Sequence, residues 1–284
     1  MQIDEKEMML GYIRQAIRED VGDGDHTTLS TIPASARGKA VLVAKEAGVI
    51  AGMEVAEMVY REVDPQTVFT PLVKDGSEVK VGDKVFTVEG SSRSILIAER
   101  LSLNYIQRMS GIATHTRSLV RLMGDTKTVL LDTRKTTPNN RVFEKLAVKI
   151  GGGMNHRFGL FDMILIKDNH IDFAGGIPQA IDSVHAYLKE KGKDLKIEIE
   201  VRSFDELNQV LEHGGVNRIM LDNFSPEDIE KAVALIGGKY ETEASGGITR
   251  QTLARYAATG VDFISVGALT HHIASLDLSL KAVQ

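Results

Sequence analysis

The chain has 284 residues, 43% hydrophobic and 26% charged, which is enough to bury a substantial core and excludes a globally disordered composition. It contains no cysteine, and this removes disulfides, thiolate catalysis and cysteine-ligated zinc or iron–sulfur centres at once. A formal net charge of −5 argues against a general nucleic-acid surface.

MQIDEKEMMLGYIRQAIRED reads as an amphipathic helix with acids throughout, not as a basic stretch ahead of an apolar core. No apolar run approaches the length that crosses a bilayer, so a soluble cytoplasmic protein is expected. DGDHTT at 23–28 is polar and turn-like, which predicts capping and local hydrogen bonding by Asp23, Asp25, Thr27 and Thr28. KAVLVAKEAGVIAG and TVFTPLVKDGSEVKVGDKVFTVEG alternate polar and apolar residues with DG and GD punctuation, predicting antiparallel hairpins around a helix, MEVAEMVYREV. The second hairpin looks locally like a biotinyl or lipoyl carrier, but the lysine-bearing turn that carriers modify is not evident. SILIAERLSLNYIQRMSGIATHTRSLVRLM predicts one long helix. Arg100, Asn104 and Arg108 share a stripe of it, and the plain reading of that stripe is a solvated basic edge.

From Leu131 to Gly267 one arrangement repeats: a short apolar run that stops at a charged residue or glycine. The runs are VLLDTRK, MILIKD, KIEIEV, RIMLDN, YETEASGG and DFISVGA. Glu200, Asp222, Ser245 and Gly267 follow one another at 22, 23 and 22 residues, one βα unit per step. The segments between them, such as SFDELNQVLEHGG and SPEDIEKAVALIGG, carry helical periodicity, a capping residue and a closing Gly-Gly. Parallel strands wound this way bury both faces and bring their C-terminal ends to one mouth, where such barrels place their chemistry. The tail ASLDLSLKAVQ is amphipathic and is expected to return to the N-terminal part.

Positive charge gathers around the first two strand ends. Between Arg134 and His170 stand seven Lys or Arg against three acids, with His156 and His170 besides. Lys145 and Lys149 read as solvated helix face, whereas Arg134, Lys135 and Lys167 close buried strands, where charge without a use is costly. An acidic protein built this way is expected to attract a small polyanion there.

EDVGDGDHTT, ERLSLNYIQRMSGIAT, LDTRKTTP, KIGGGMNHRFGLFDMILIKDNH, IEIEV, MLDNF, EASGGI and VGALTHH run in order through almost the whole chain and resemble the quinolinate phosphoribosyltransferase family. The resemblance implies an incomplete TIM-like α/β barrel over 113–272 and an N-terminal α+β sandwich domain over 1–112, with the tail 273–284 packing on the latter. It implies a pentosyltransferase that joins quinolinate to phosphoribosyl pyrophosphate (PRPP), giving nicotinate mononucleotide, pyrophosphate and CO2, with Mg2+, in NAD biosynthesis. It also implies a homodimer, or a higher oligomer, whose active sites are shared between subunits, with Arg100 reaching the partner's barrel mouth.

The residues agree chemically. Quinolinate carries two carboxylates, and planar guanidiniums bind carboxylates bidentately. Arg134 and Arg157 supply such forks beside His156 and Lys167, and the resemblance adds Arg100, Thr133 and Lys135. Gly151 to Gly153, just before His156 and Arg157, read both as a helix C-cap and as a loop that lets backbone approach a ligand. Glu198, Glu200 and Asp222 interrupt strands otherwise made of Ile, Val, Leu and Met, which neutral packing does not explain. Glu198 shares a face with Glu200, and the resemblance assigns Mg2+ and the PRPP ribose to Glu200 and Asp222. Ser245, Gly246 and Gly247, and then Val266, Gly267 and Ala268, close successive late strands, where barrels bind phosphate through backbone N–H groups. Lys135 and Lys167 are expected to touch both substrates, and the loss of Lys135 to do the most damage. His271 and His272 lack metal-ligand spacing and read as structural.

Two rivals are weaker. A paralogue associated with molybdate uptake would depart from the set Arg134, Lys135, His156, Arg157 and Lys167. A non-catalytic nucleotide-binding barrel would explain the glycine loops but not carboxylates facing a basic pocket.

Overall fold

The computed structural model describes residues 4–283; residues 1–3, with which the expected first helix opens, and the last residue of the tail lie outside the described residues. In chain order the elements are α1 (Glu5–Val21), α2 (His26–Thr31), β1 (Arg37–Ala44), β2 (Gly48–Val49), α3 (Met53–Val63), β3 (Val68–Pro71), β4 (Glu78–Val79), β5 (Lys84–Ser91) and the long α4 (Ser92–Met123). There follow β6 (Val129–Leu131), α5 (Arg141–Gly151), β7 (Ile164–Ile166), α6 (Asp168–Ala174), α7 (Ile177–Lys191), β8 (Ile197–Val201) and α8 (Phe204–His213). The chain closes with β9 (Arg218–Asp222), α9 (Pro226–Ile236), β10 (Glu241–Ser245), α10 (Leu253–Ala257), β11 (Phe263–Ser265), α11 (Ala268–His271) and β12 (Leu278–Val283).

These elements form two compact units. The first takes the described residues through Arg117, residues Thr136–Gly152 and the described residues from Ala268 on; the second takes Ser118–Lys135 and Gly153–Gly267. In this division α5 and α11 group with the first unit.

In the first unit an antiparallel sheet runs β12-β1-β5-β3, so the tail contributes an edge strand, with Ala282 opposite Ala40. Tyr60, Phe69 and Phe86 meet under it with ring centroids 4.5–6.1 Å apart. Asp25 caps α2 by accepting from the Thr28 N–H and hydroxyl, the work expected of DGDHTT. Two expectations fail in this unit. Arg108 is not on a solvated edge: its Nη2 lies 2.9 Å from the buried Glu144 and 2.6 Å from the Thr270 carbonyl. Lys145 is not solvated either and is 2% exposed, whereas Lys149 is exposed as expected. Gly152 closes α5 in the left-handed region, and a Cβ on Gly151 would stand 2.7 Å from the Ala113 carbonyl. That glycine therefore lets α5 pack on α4.

In the second unit six parallel strands run β6-β11-β10-β9-β8-β7, all six predicted runs being strands. Met154 bridges Leu131 on the free side of β6. In a flat sheet that side would stand roughly 24 Å from β8, at about 4.8 Å per strand. Yet His156, two residues on, places its Nε2 3.0 Å from Glu198 of β8. The sheet must therefore curl. No ladder joins β6 to β7 among the described residues, and the segment 153–163 occupies that seam, so the barrel is incomplete. Strands with this common direction bring their C-terminal ends to one mouth.

Candidate active site

VLLDTRK stops being a strand at Leu131, and Asp132 to Lys135 form the loop that leaves it. Asp132 is buried and accepts the His156 N–H at 2.8 Å, which ties the first strand end to the seam. Thr133 Oγ1 accepts the Lys135 N–H at 3.0 Å, Arg134 is half-buried, and Lys135 is exposed. Arg157 donates from Nη1 to the Met163 carbonyl at 3.2 Å. Burial, and then the neighbouring Arg134 charge, lowers the Arg157 pKa. Both groups stay cationic, so two like charges are held close together in partial burial, an arrangement that an anionic ligand relieves.

Lys167 follows β7, with its Nζ 3.0 Å from Glu200 Oε2. On the next strands Ser245 lies opposite Asp222, and Asp222 Oδ1 accepts the Ser245 hydroxyl at 2.7 Å. Its Oδ2 accepts from Asn223 Nδ2 at 2.6 Å. The glycine after Ser245 is dictated by space and conformation: Gly246 has φ +87°, and a Cβ there would fall 2.3 Å from Asn223 Oδ1. Val266 departs from its expected role, because its N–H donates to the Leu131 carbonyl at 3.0 Å and cannot also bind phosphate. Gly267 follows it, whereas Ala268 opens α11 in the first unit, and Arg100 is an exposed residue of α4 there. His271 and His272 stack edge to face, with centroids 4.4 Å apart.

Below the mouth the barrel interior is ionic where such barrels normally pack branched apolar residues. Glu198 is fully buried and faces the same way as Glu200; Glu243, also fully buried, stands two residues below Ser245. Arg218 of β9 lies between their strands, 3.0 Å from both Glu241 and Glu243, with its guanidinium 4.0 Å over the Phe263 ring. His156 Nε2 sits 3.0 Å from Glu198 and 3.5 Å from Glu243. Glu243 and Arg218 were not singled out from sequence. The signal was available, since Glu241, Glu243 and Ser245 alternate onto one face of β10.

Burial, and then the Glu198 charge, pushes Glu243 up to about 7, and burial likewise raises Glu198. Between about pH 4.5 and 7 the unfolded chain releases the Glu243 proton while the fold retains it, so stability falls as pH rises through that window and is level above it. Glu243→Gln should therefore melt close to wild type at pH 5 and gain relative to it at pH 8. Melting curves at the two pH values check this, and a difference that does not change with pH would refute it.

A parallel α/β barrel with paired guanidiniums, a lysine–carboxylate pair and glycine loops at the C-terminal mouth defines a barrel enzyme that takes polyanionic substrates. The quinolinate phosphoribosyl transferase N-terminal domain matches residues 25–110, and the C-terminal domain of the same name matches 112–281. The chain is 46% identical to tobacco (Nicotiana tabacum) quinolinate phosphoribosyltransferase [decarboxylating] 1b, over 95% of this chain and 81% of that protein. It is 45% identical to the Arabidopsis thaliana chloroplastic nicotinate-nucleotide pyrophosphorylase [carboxylating], with the same two coverages. The crystal structure of NadC from Streptococcus pyogenes superposes with a TM-score of 0.92 at 40% identity, covering 100% of both chains. This chain belongs to the quinolinate phosphoribosyltransferase family.

Proposed function

We propose that the protein is a pentosyltransferase that joins quinolinate to PRPP, yielding nicotinate mononucleotide, pyrophosphate and CO2. The observation that carries this reading is the Lys167 Nζ–Glu200 ion pair at 3.0 Å at the C-terminal strand ends, together with Arg134 and Arg157, both half-buried in the segments that follow β6. Arg134, Arg157 and Lys167 hold the two carboxylates of quinolinate, with Thr133, Lys135 and His156 in the same wall. Arg100 completes the site from the partner subunit of a homodimer. Glu200 and Asp222 take the ribose hydroxyls, and Ser245, Gly246, Gly247 and Gly267 take the 5′-phosphate. The quinolinate ring nitrogen attacks the anomeric carbon through an oxocarbenium-like transition state, so catalysis is positioning and electrostatics with no covalent enzyme intermediate. Lys135 stabilises the departing pyrophosphate. Decarboxylation follows because the new pyridinium stabilises the carbanion left at C2, which then takes a proton from solvent to give nicotinate mononucleotide.

Mg2+ fits this donor set in one way. Glu200 and Asp222 are two carboxylates on neighbouring strands, one already on Lys167 and the other accepting two hydrogen bonds. That is no cage, but it suits an ion that arrives with substrate oxygens, and Mg2+ prefers such sites. When bound it would neutralise pyrophosphate charge. No helix among the described residues is long and apolar enough to cross a membrane. We place the enzyme in the cytoplasm, although the Arabidopsis relative is named as chloroplastic.

Loss of quinolinate absorbance on adding PRPP and Mg2+ tests the reaction. Nicotinate lacks one of the two carboxylates, and one charge-assisted contact is worth on the order of 2 kcal/mol, about 30-fold in kcat/KM. Turnover of nicotinate should be poorer than that of quinolinate by at least that factor. Comparable turnover would remove the double carboxylate clamp.

A further inference from the structure

Glu144 stands near the start of α5, buried, and both of its carboxylate oxygens are occupied. Oε1 accepts from Arg108 Nε at 3.2 Å and Nη2 at 2.9 Å, and from the Thr137 hydroxyl at 2.8 Å. Oε2 accepts the Thr137 N–H at 3.0 Å. The same guanidinium donates onward, from Nη2 to the Thr270 carbonyl at 2.6 Å and from Nη1 to the Ile273 carbonyl at 3.4 Å. One buried carboxylate and one arginine of α4 thus grip two separate stretches of chain. The first is the loop after β6, and the second is α11 with the residues behind it.

Both stretches adjoin PRPP contacts of the proposed reaction. Lys135 stands two residues before Thr137, and Gly267 directly precedes α11. Lys135 is exposed, in a loop without regular structure between Leu131 and Arg141, so its placement depends on side-chain ties. Upstream, Asp132 holds the His156 N–H, and Thr133 Oγ1 accepts the Lys135 N–H. Downstream, Thr136 Oγ1 accepts from Arg141 Nε at 3.0 Å, and Thr137 is bound twice to Glu144. A buried charge pair is costly to assemble, and apolar side chains would pack α4 on α5 as well. They would not bind the backbone and hydroxyl of an exposed loop residue, which is what Glu144 does.

We propose that the Arg108–Glu144 pair is a positioning clamp for PRPP: through one shared set of hydrogen bonds it fixes the Thr137 side of the Lys135 loop and the helix that follows Gly267. The inference rests on the reading of Lys135 and Gly267 as PRPP contacts. Neither Arg108 nor Glu144 touches substrate; each acts through the segments it holds. Quinolinate depends on the clamp less. Arg157 is tied to the Met163 carbonyl, and Arg134 lies on the Asp132 side of Lys135, where the loop is anchored separately. Loosening the clamp therefore costs PRPP more than quinolinate, as expected where reacting groups must be held to sub-ångström tolerance. A merely structural pair would cost both substrates alike.

Two variants separate positioning from packing. Arg108→Met with Glu144→Met removes the clamp as a unit; replacing a whole buried pair by apolar residues is often neutral for folding, whereas removing one partner is not. Thr137→Val leaves the pair whole and takes one hydroxyl from the loop, so it serves even if the double variant folds poorly. We expect kcat/KM for PRPP to fall roughly tenfold in the double variant and about threefold in Thr137→Val, with the quinolinate Kd within about twofold of wild type in both. An equal loss for the two substrates, or an unchanged kcat/KM for PRPP, would overturn the proposal. Hydrogen exchange read by mass spectrometry gives an answer that needs no activity. Exchange should quicken over 133–137 and 267–273 in the double variant, over 133–137 alone in Thr137→Val, and stay level in the parallel strands. Unchanged exchange in both segments, or faster exchange spread through the whole first unit, would remove the clamp. If the wild-type protein does not turn over PRPP, the proposed activity fails, whereas the exchange pattern still decides whether the pair holds the two segments.

Discussion

Arg157→Lys is expected to weaken quinolinate binding by about 30-fold, on the order of 2 kcal/mol, while leaving the fold intact. The change retains a positive charge, so the expectation rests on geometry. The guanidinium of Arg157 can give one N–H to the Met163 carbonyl at 3.2 Å and still present a planar pair to a carboxylate. An ammonium offers a single point of charge at the end of a shorter, more flexible stem, and it cannot serve both partners in a fixed plane. Its environment is also hostile: half-burial and the Arg134 charge already lower the arginine, and a lysine there would be far easier to deprotonate. Isothermal titration with quinolinate, alongside melting curves, reads the two effects separately. Affinity within about twofold of wild type would return Arg157 to the scaffold.

Local periodicity made the barrel legible. Six apolar runs, each ended by a charge or a glycine, became six parallel strands, because the period-2 and period-3.6 patterns are properties of short windows. What the sequence hid depends on partners far along the chain. VLLDTRK stops at Leu131 because Asp132 turns to hold the His156 N–H, 24 residues on. Val266 loses its N–H to Leu131 through a parallel register that no local pattern specifies. Lys145 looks like any helix-surface lysine, and only the packing of α5 buries it. The ionic interior was half legible. Glu198 stood out beside Glu200 among apolar residues, whereas Glu243 was masked by the Ser-Gly-Gly that follows it. Its alternation with Ser245 places it on the same face of β10.

Mixing two nearly inactive variants, Arg100→Ala and Lys135→Ala, should restore roughly a quarter of wild-type activity if each active site of the proposed homodimer draws on both subunits. The two residues lie in different units of the fold, Arg100 exposed on α4 and Lys135 exposed in the loop after β6. Each is cationic, and the proposed reaction needs both, Arg100 on quinolinate and Lys135 between the two substrates. Alone, either variant lacks one essential charge in every site. In a mixed dimer with shared sites, one site receives both defects and the other receives neither. Random exchange makes about half the dimers mixed, and one good site of two then gives roughly a quarter of full activity. The dependence on the mixing ratio is itself diagnostic, because activity should follow the product of the two subunit fractions and peak at equal amounts. If each site were built from a single chain, every mixed dimer would carry one defect per site and no ratio would recover activity. Subunit exchange must first be demonstrated, for instance with a size-tagged copy. Absence of recovery after that would place Arg100 in the site of its own subunit and leave nothing in the chemistry that requires a dimer.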